Sequence, residues 1–271
     1  MDKYFNFFDQ YSNYYMGIAK DRFQKLHIHR KIEHSKRVYK IAVEVAKKLE
    51  LNEKEILIIG IASLFHDIGR LPQFFQFNTY KDSILCDHSL LGVQILEQEK
   101  ILDDLSSDEK RIILKIIRLH DYKELPSDLP KKLYDYVSVV RDADKIDWMY
   151  SMVNIIPKLS EKDQAVFYSN KENKSFISKK VVDSILNNQV LVKDDVNTID
   201  ELRAAAMGWV TSFIKCSPSY EIIKRENLIK KTFNLMGDTK EKQVIFDYVN
   251  DYINHGVVNY QNMKKISLNL A

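Results

Sequence analysis

The sequence of 271 residues contains little cysteine, glycine or proline. Its two cysteines, Cys86 and Cys216, belong to no CxxC pair, which argues against a disulfide framework and against a structural zinc knuckle. Seven glycines and five prolines are few for a fold built from strands and tight turns. Because the aliphatic residues recur at helical spacing, we predict an all-α protein, a helical bundle with additional C-terminal helices.

The sequence also lacks features that would indicate a membrane or a nucleic acid as a partner. It has no twenty-residue apolar span and no basic N-terminus followed by an apolar segment, so we expect no membrane contact and a cytoplasmic location. Its 41 basic and 38 acidic residues are mixed along the chain, without a concentrated basic stripe. A nucleic acid polymer is therefore not an expected partner.

One stretch, residues 59–72, combines a saturated apolar run with ionisable side chains. The run IGIASLF leads directly into the adjacent pair His66 and Asp67, and Gly69 and Pro72 follow. Ionisable groups at the end of a buried helix are costly unless something neutralises them, and a bound divalent cation does so. The imidazole can hold one metal while the carboxylate bridges to a second. We interpret this stretch as the centre of a metal site.

Further ligand-type side chains lie on the apolar stripes of other predicted helices. Each stripe places aliphatic residues at helical spacing and includes one histidine or aspartate that the pattern turns inward. The inward-facing set is His34, His66 with Asp67, His88, His120 and Asp144. A lone core histidine is more often satisfied by a backbone carbonyl, but the coincidence on five predicted helices favours a shared metal site.

The flanking histidines and the segment after His66 and Asp67 are less regular. His27 and His29 lie in a less periodic stretch, and we place them at the surface or beside the ligands. Residues 71–87 break the helical rhythm, which predicts an ordered, aromatic-rich loop. Such a loop is either a wall or lid for a substrate or a segment packed against the core.

A change in composition divides the chain. Lys, Asn, Ser and Asp become frequent between residues 155 and 196, where we expect long connections and a short helix. We predict a metal-binding helical domain over residues 1–155 and a C-terminal helical extension over residues 156–271 that packs on it, with one continuous domain as the alternative. The helices expected in that extension cover residues 199–214, 220–236 and 242–255.

The ordered series of ligand-type residues resembles the HD superfamily of metal-dependent phosphohydrolases, which is named after an adjacent His-Asp pair. The resemblance covers residues 32–149, and HDIGR and RDADKID are the segments most similar to the family. It implies an HD-domain helical bundle with a binuclear metal site at its centre. By the resemblance, one divalent metal would be held by His34, His66, Asp67 and Asp144, and a second by His88, His120 and the bridging Asp67.

The resemblance and the ligand chemistry together imply a reaction. Imidazole and carboxylate without thiolate suit Fe, Mn, Co, Ni or Zn, and the residues do not choose among them. Two such ions convert a bridging water to hydroxide and neutralise charge on a phosphoryl group. We therefore expect hydrolysis of a phosphoester bond in a small molecule, with a nucleotide as the favoured substrate. Asp67 would bridge the metals, and Asp121 would accept a proton or support a ligand.

A substrate phosphate also needs cations that are not occupied as metal ligands. Arg70, one turn after His66, is the first candidate because a guanidinium binds phosphate in a bidentate manner. Its alternative role is interaction with a helix dipole. Lys145, next to Asp144, and Arg141 are further candidates for substrate binding, although basic residues are common on helix surfaces. Asp67, Asp121, Arg70 and Lys145 form the predicted catalytic set.

The sequence departs from several branches of the superfamily. No GYP follows His120, and its neighbour is Asp121 rather than a second histidine, so the cyclic-dinucleotide branch is not supported. The long signatures of dNTP triphosphohydrolases and alarmone hydrolases are missing too. The chain is also similar to little-characterised bacterial HD domain-containing proteins, in which HDIGR is followed by an aromatic loop and then by DH. This similarity indicates neither a substrate nor an oligomeric state.

Two other functions stay open at this point. Some HD relatives, including inositol oxygenase and a phosphonate-cleaving oxygenase, hold two irons with the same six-ligand arrangement and activate O₂. A di-iron oxygenase acting on a small phosphonate or polyol is therefore the alternative, and a regulatory module without turnover is the third possibility. Family frequency and the nearby basic residues favour hydrolysis, an argument by analogy.

Overall fold

The computed structural model describes residues 1–83, 86–169 and 171–267. Across these ranges helices carry most of the chain, and extended backbone pairs only in two isolated bridges, Ser83 with Cys86 and Glu172 with Thr198. The prediction of an all-α fold is confirmed. Within the same ranges, no helix combines the length and the apolar character that crossing a bilayer requires.

The chain divides into two compact units, and the first consists of Met1–Asp147 and Ser160–Phe167. Its core is formed by α3, which packs against α2 and α6, while α1 and α4 pack on α2 and α5 packs on α6. The helices of this part of the chain are α1 (Asp2–Ile18), α2 (Arg22–Lys48), α3 (Glu53–Phe65), α4 (Arg70–Phe77), α5 (His88–Gln98), α6 (Ser107–Leu119), α7 (Lys131–Asn154) and α8 (Glu161–Phe167).

Helix α3 explains how two ionisable residues come to lie in the core. It begins with a capping box, in which the Asn52 side chain accepts from the Glu55 backbone N–H and the Glu55 side chain accepts from the Asn52 backbone. Every residue from Ile58 to Phe65 is buried, so the helix is apolar on all sides. It therefore runs through the centre of the unit and delivers His66, at its C-terminal end, to the interior.

The second unit consists of Trp148–Leu159 and Tyr168–Ala271. Its central helix packs against three others, and the Trp209 indole N–H donates to the Leu191 carbonyl at 2.8 Å. Its helices are α9 (Lys179–Leu186), α10 (Ile199–Ser212), α11 (Ser217–Arg225), α12 (Leu228–Asn234) and α13 (Lys240–Ser267), with α10 at the centre. Our division into residues 1–155 and 156–271 remains a prediction of domain organisation.

Two predicted elements differ from the observed ones. The segment predicted as a loop over residues 71–87 begins within helix α4. Pro72 is tolerated in this helix because it occupies the third position, where a backbone N–H would have no partner within the helix. This helix ends at Phe77, and the next residue, Asn78, adopts the left-handed conformation. The helix expected over 220–236 is two helices, α11 and α12, separated at Asn227, whose φ of 52° interrupts the helical backbone.

Candidate metal centre

Four of the predicted ligands converge in the core of the first unit. His34 comes from α2, His66 and Asp67 from the end of α3, and Asp144 from α7; we call this group cluster A. The His34 Nε2 atom lies 3.3 Å from His66 Nε2, 3.3 Å from Asp67 Oδ2 and 3.2 Å from Asp144 Oδ1. His66 Nε2 lies 3.1 Å from the same Asp67 oxygen. Four donor atoms thus surround one small volume.

Three predicted ligands form a second group beside the first. His88 is the first residue of α5, His120 follows the last residue of α6, and both face Asp67; we call these three residues cluster B. His88 Nε2 lies 3.3 Å from His120 Nε2 and 3.4 Å from Asp67 Oδ1, and His120 Nε2 lies 3.8 Å from that oxygen. The two oxygens of Asp67 therefore face different imidazole pairs, the arrangement of a bridging carboxylate.

In both clusters the Nε2 atom of each histidine faces the other ligand-type residues, because its Nδ1 atom is bonded to an oxygen outside the cluster. Each imidazole uses its Nδ1 atom on an oxygen that can only accept, so Nδ1 carries the hydrogen in the neutral ring. The Nδ1 partners are Asp147 for His34 at 2.6 Å, the Ser63 carbonyl for His66 at 2.7 Å, Asp82 for His88 at 2.8 Å and the Ile117 carbonyl for His120 at 2.7 Å. Oriented imidazoles of this kind are the usual ligands of protein-bound metals.

The donor spacing fits first-row divalent ions. Around an ion with metal–nitrogen bonds near 2.0–2.1 Å, neighbouring donors lie roughly 3.0–3.5 Å apart. Most of the measured donor separations in the two clusters, 3.1–3.4 Å, fall in this range. Two opposed nitrogen lone pairs at 3.3 Å repel each other unless a cation or a proton lies between them. The residues present therefore fit a pair of metal ions that share Asp67.

The electrostatics of cluster A also demand positive charge. Burial by itself raises the pKa of Asp67, but Lys31, His66 and the hydrogen bond from His34 outweigh it and hold the pKa well below its ordinary value. Burial and Lys31 lower the pKa of His34, yet its hydrogen bonds to Asp144, Asp147 and Asp67 raise the pKa to about 9. Without a metal, cluster A therefore retains a proton at neutral pH.

In cluster B the pKa of a histidine is lowered rather than raised. Burial, His66 and His88 lower the pKa of His120 to about 3, more than Asp67 and Asp121 can offset. The His120 ring is therefore neutral at physiological pH, with its hydrogen on Nδ1 and its Nε2 lone pair toward Asp67. Cluster B offers two imidazole nitrogens, of which His120 Nε2 is a neutral donor, and one shared carboxylate oxygen.

Arg70, predicted to bind substrate phosphate, is engaged by protein oxygens. One guanidinium nitrogen donates to the Tyr80 carbonyl at 2.5 Å, to Gln73 Oε1 at 2.8 Å and to Asp82 Oδ1 at 2.9 Å. Its Nε lies 3.4 Å from Asp67 Oδ1. This geometry supports positioning of Asp82, and through it of His88, and direct contact with a substrate remains a prediction.

Arg141, also predicted to bind substrate, lies with its guanidinium at the C-terminal end of α6. It donates to the carbonyls of Leu119 and His120 at 3.3 Å and to that of Tyr122. Burial lowers the pKa of Arg141 to about 10, which still leaves it charged at neutral pH. A buried cation at these carbonyls stabilises the turn that carries His120, since helix C-termini attract positive charge.

Lys145 and Asp121 lie at the edge of the two clusters. The Lys145 ammonium is 2.9 Å from Asp144 Oδ2, the oxygen that faces away from His34. Burial raises the pKa of Asp121, but Lys145, His120, His88 and Arg70 outweigh it and keep the pKa below its ordinary value. Asp121 is therefore a carboxylate at neutral pH, and its role as a proton acceptor remains a prediction.

Three residues around the clusters were not among the predicted site residues. Asp147 accepts from His34 and from Arg37, Asp82 accepts from His88, and the Lys31 ammonium contacts Asp67 Oδ2. Asp147 follows Asp144 by three residues, on the same helical face, and that spacing could have revealed it. Asp82 lies between α4 and α5, where no periodicity indicates a direction.

His27, placed at the surface or beside the ligands, is fully buried, whereas His29 is exposed. The His27 ring stacks on Phe74 at 4.8 Å between ring centres and contacts Phe23 and Phe167. Burial lowers the pKa of His27, although Asp163 acts in the opposite direction. The surface placement of His27 was wrong because α2 begins ten residues earlier than the periodic segment that starts at residue 32.

Gly69 sets how closely the two halves of the centre approach. A Cβ atom at this position would lie 2.2 Å from the His88 carbonyl oxygen and 2.9 Å from the Gly92 backbone nitrogen. Real Cβ atoms do not approach backbone so closely. The backbone after Asp67 therefore packs directly on the first turn of α5, which places His88 next to the Asp67 carboxylate.

The fold and the two clusters together define a helical domain with a candidate metal centre. Residues 32–149 match the family model of the HD domain, and this match supports the HD superfamily of metal-dependent hydrolases for that part of the chain. No curated protein and no solved structure matches the chain. The similarity to little-characterised bacterial HD proteins therefore remains a prediction.

Proposed function

We propose that the protein is a binuclear phosphohydrolase that cleaves a phosphoester bond in a small molecule of the nucleotide class. The observation that carries this proposal is the position of the Asp67 carboxylate between the two clusters. Each of its two oxygens faces a different pair of imidazole nitrogens at 3.1–3.8 Å. Two divalent ions bound there would activate water and neutralise the charge of a phosphoryl group. Metal binding by HD domains and the hydrolase class of the superfamily support it.

The ligands would divide between the two ions as the donor atoms are grouped. Cluster A would hold one ion through His34, His66, Asp67 and Asp144, and cluster B the other through Asp67, His88 and His120. Cluster B supplies fewer donors, which leaves more positions for water and substrate, as catalytic metal sites require. The choice among Fe, Mn, Co, Ni and Zn is not fixed by these donors.

Lys31 is the cation best placed to bind the substrate phosphate. Its ammonium contacts Asp67 Oδ2 and lies 5.7 Å from the centre of the Tyr80 ring, and its side chain is 19% exposed. When Asp67 donates its oxygens to metal ions, the long and flexible Lys31 side chain becomes available to an anionic oxygen of the substrate. Lys145 is the second candidate, because it lies beside Asp144 and its side chain is 15% exposed.

Asp121 completes the proposed reaction as the proton acceptor. Its carboxylate takes a proton from the attacking water while the water oxygen forms a bond to phosphorus. The ester P–O bond breaks, its electron pair stays on the leaving oxygen, and that oxygen receives the proton. A carboxylate that is ionised at neutral pH can perform both transfers.

The test is phosphate release by the full-length protein loaded with Mn²⁺ or Fe²⁺ under anaerobic conditions. We expect hydrolysis of at least one small phosphoester, with no oxygen requirement. Oxygen uptake by the iron-loaded protein, with no phosphate release from any ester, would instead support the di-iron oxygenase. Metal binding with neither activity would support a regulatory module.

A substitution at Lys31 tests whether its ammonium group binds the substrate phosphate. We expect Lys31→Met to raise KM roughly tenfold or more, the value of a charge-assisted hydrogen bond, with metal content unchanged. Lys31→Arg should restore much of the affinity. The matched control is Lys25→Met on the exposed side of the same helix, which should leave KM unchanged. An unaltered KM in Lys31→Met would remove Lys31 from the proposed site.

A further inference from the structure

The turn that follows α6 carries three consecutive residues of different chemistry. His120 belongs to cluster B, Asp121 is the proposed proton acceptor, and Tyr122 comes next. The buried Arg141 guanidinium donates to the carbonyls of His120 and Tyr122, which fixes the backbone of the turn. Tyr122 is therefore held through its backbone at a defined place next to the proposed reaction centre.

A cavity of about 350 Å³ lies beside cluster B, and Tyr122 is part of its wall. His88 and Asp121 also line it, so the cavity adjoins the proposed reaction centre. Its volume lies at the small end of the range for ligand sites, roughly 300–1,000 Å³. A substrate whose phosphate is held at cluster B can place its leaving group in this space.

The charges in the cavity wall are balanced. Asp82 and Asp121 face the Arg70 guanidinium at 2.9 Å and 3.7 Å, and Asp87 is paired with Arg118 at 2.8 Å. Each carboxylate of the wall thus has a guanidinium beside it. The net charge of the wall gives little selection between leaving groups, and selection depends on its uncharged surface.

Tyr122 supplies such a surface. The residue is 40% exposed, and the Arg118 guanidinium lies over its ring, with Cζ 5.9 Å from the ring centre. Tyr80, by contrast, packs on Phe74 at 4.6 Å between ring centres, and its hydroxyl donates to the His27 carbonyl. Tyr80 is thus used within the fold, whereas the exposed Tyr122 ring with its stacked guanidinium offers a flat surface to a ligand.

We propose that Tyr122 selects a nucleoside as the leaving group, by stacking of its ring on the nucleobase. This inference rests on the proposed phosphohydrolase function and names the part of the substrate that the cavity binds. Every nucleobase has a flat π-face, so stacking on an aromatic side chain holds any of the bases. A sugar phosphate has no such face, and the balanced charges of the wall give it no compensating attraction.

The first experiment compares adenosine monophosphate with ribose phosphate as substrates of the metal-loaded, full-length protein. The two molecules share the phosphorylated ribose, and only the first carries a base. We expect kcat/KM of adenosine monophosphate to be higher by roughly tenfold, the effect of one base–aromatic stack. An equal or higher kcat/KM for ribose phosphate overturns the inference and leaves the proposed function intact.

The second experiment removes the ring. Tyr122→Leu keeps an apolar side chain at this exposed position and should raise KM for adenosine monophosphate roughly tenfold, with KM for ribose phosphate and the metal content unchanged. Tyr122→Phe keeps the ring and should behave as the wild type. An equal change for both substrates in Tyr122→Leu, or no change for either, overturns the stacking role.

The matched control removes an exposed tyrosine ring elsewhere in the first unit. Tyr14 on α1 is 59% exposed and lies outside the cavity lining. Tyr14→Leu should leave KM for both substrates unchanged. A rise in KM for adenosine monophosphate in Tyr14→Leu as large as that in Tyr122→Leu would overturn the assignment to Tyr122.

Calorimetry with adenosine, which contains no phosphate, gives a readout independent of turnover. We expect adenosine to bind the metal-loaded protein, roughly tenfold more weakly after Tyr122→Leu and equally well after Tyr122→Phe. Binding that depends on Tyr122, together with phosphate release from no ester, overturns the proposed function alone. Hydrolysis of phosphoesters by a protein whose adenosine binding is absent, or is unaltered in Tyr122→Leu, overturns the inference alone.

Discussion

Cluster A and cluster B share Asp67 but differ in charge. In each cluster one imidazole is held by a carboxylate, Asp147 or Asp82, and the other by the carbonyl of a residue three positions before it in the chain. Cluster A contains a second carboxylate, that of Asp144, whereas cluster B contains none besides Asp67. Since ligand charge raises affinity for divalent ions, we expect cluster A to bind first and cluster B to exchange its ion more readily.

One histidine in each cluster has a shifted pKa, and the two shifts have opposite directions. His34 in cluster A has a pKa raised to about 9, while His120 in cluster B has a pKa lowered to about 3. A proton can therefore take the place of the ion at His34 in cluster A at neutral pH, but not at His120 in cluster B. Two sites that share a carboxylate should thus respond differently to metal removal and to pH.

The largest expected effect removes the carboxylate that joins the clusters. Asp67→Ala should lose both metal ions and reduce turnover by about 10³-fold or more, because each ion loses a charged donor. Metal analysis and phosphate release measure the two losses. Asp103→Ala, an exposed aspartate paired with Lys110, is the control and should behave as the wild type. Retention of two ions in the Asp67 variant would contradict the bridging role.

A smaller effect separates the two clusters. His120→Ala removes a donor from cluster B and leaves all four donors of cluster A. We expect metal content to fall from about two ions to about one, and turnover to fall by about 10²-fold or more. Loss of both ions in this variant would show that cluster A cannot hold its ion alone.

The carboxylates that orient the imidazoles allow a matched pair of substitutions. Asp147→Asn should weaken metal binding to cluster A by about 10–100-fold, and Asp82→Asn should weaken cluster B by a similar factor. Titration with a metal-sensitive dye separates the tight ion from the weak one. Each substitution should change only the affinity of its own cluster, so a loss at both sites from either one would contradict their independence.

The smallest effect is a pH dependence that only cluster A should show. The metal requires neutral His34, whose pKa in the folded, metal-free protein is raised to about 9. Affinity of the tight site should therefore rise about tenfold per pH unit from pH 7 toward 9, with release of about one proton per ion. Calorimetry in buffers of different ionisation enthalpy measures this proton. The weak site should release none from His120, whose pKa is far below this range.

The same shift affects the metal-free protein. A raised pKa in the folded state stabilises the fold fully below the ordinary value of His34, 6.5, and this stabilisation is lost as pH rises toward 9. The melting temperature of the metal-free protein should accordingly decrease between pH 6.5 and 9, as far as His34 is concerned. Saturating metal should remove this component of the pH dependence.

The sequence predicted the helical donors because helices impose a direction on each side chain. His34 and Asp144 fall on apolar stripes, His66 and His120 lie at the ends of such stripes, and His88 begins one, so periodicity alone turned them inward. The structure brings all of them together with Asp67. The N-terminal cap of α3 has an equally local cause, since the side chains of Asn52 and Glu55 each accept a hydrogen bond from the other's backbone.

The residues that sequence analysis missed depend on tertiary contacts. Asp82 reaches His88 from a segment between helices, and Lys31 reaches Asp67 from a partly exposed position on α2. Arg70 and Arg141 contact protein oxygens that the sequence did not indicate, because a charged side chain carries no periodic signal about which oxygens it will meet, and their contact with a substrate remains a prediction. The carbonyl partners of Arg141, those of Leu119 and His120 at the end of α6, lie on another helix and far from Arg141 in the sequence, so no local pattern indicates them.

Gly69 has a consequence for how this chain tolerates change. The distance between the two imidazole pairs depends on a position that has no side chain and donates nothing to either cluster. Addition of one methyl group there would force apart the backbone of two segments while every donor remained intact. The chemistry of the centre is thus vulnerable at a residue that an inventory of reactive groups would pass over, and its evolution is confined as much by close backbone packing as by the identity of its histidines and aspartates.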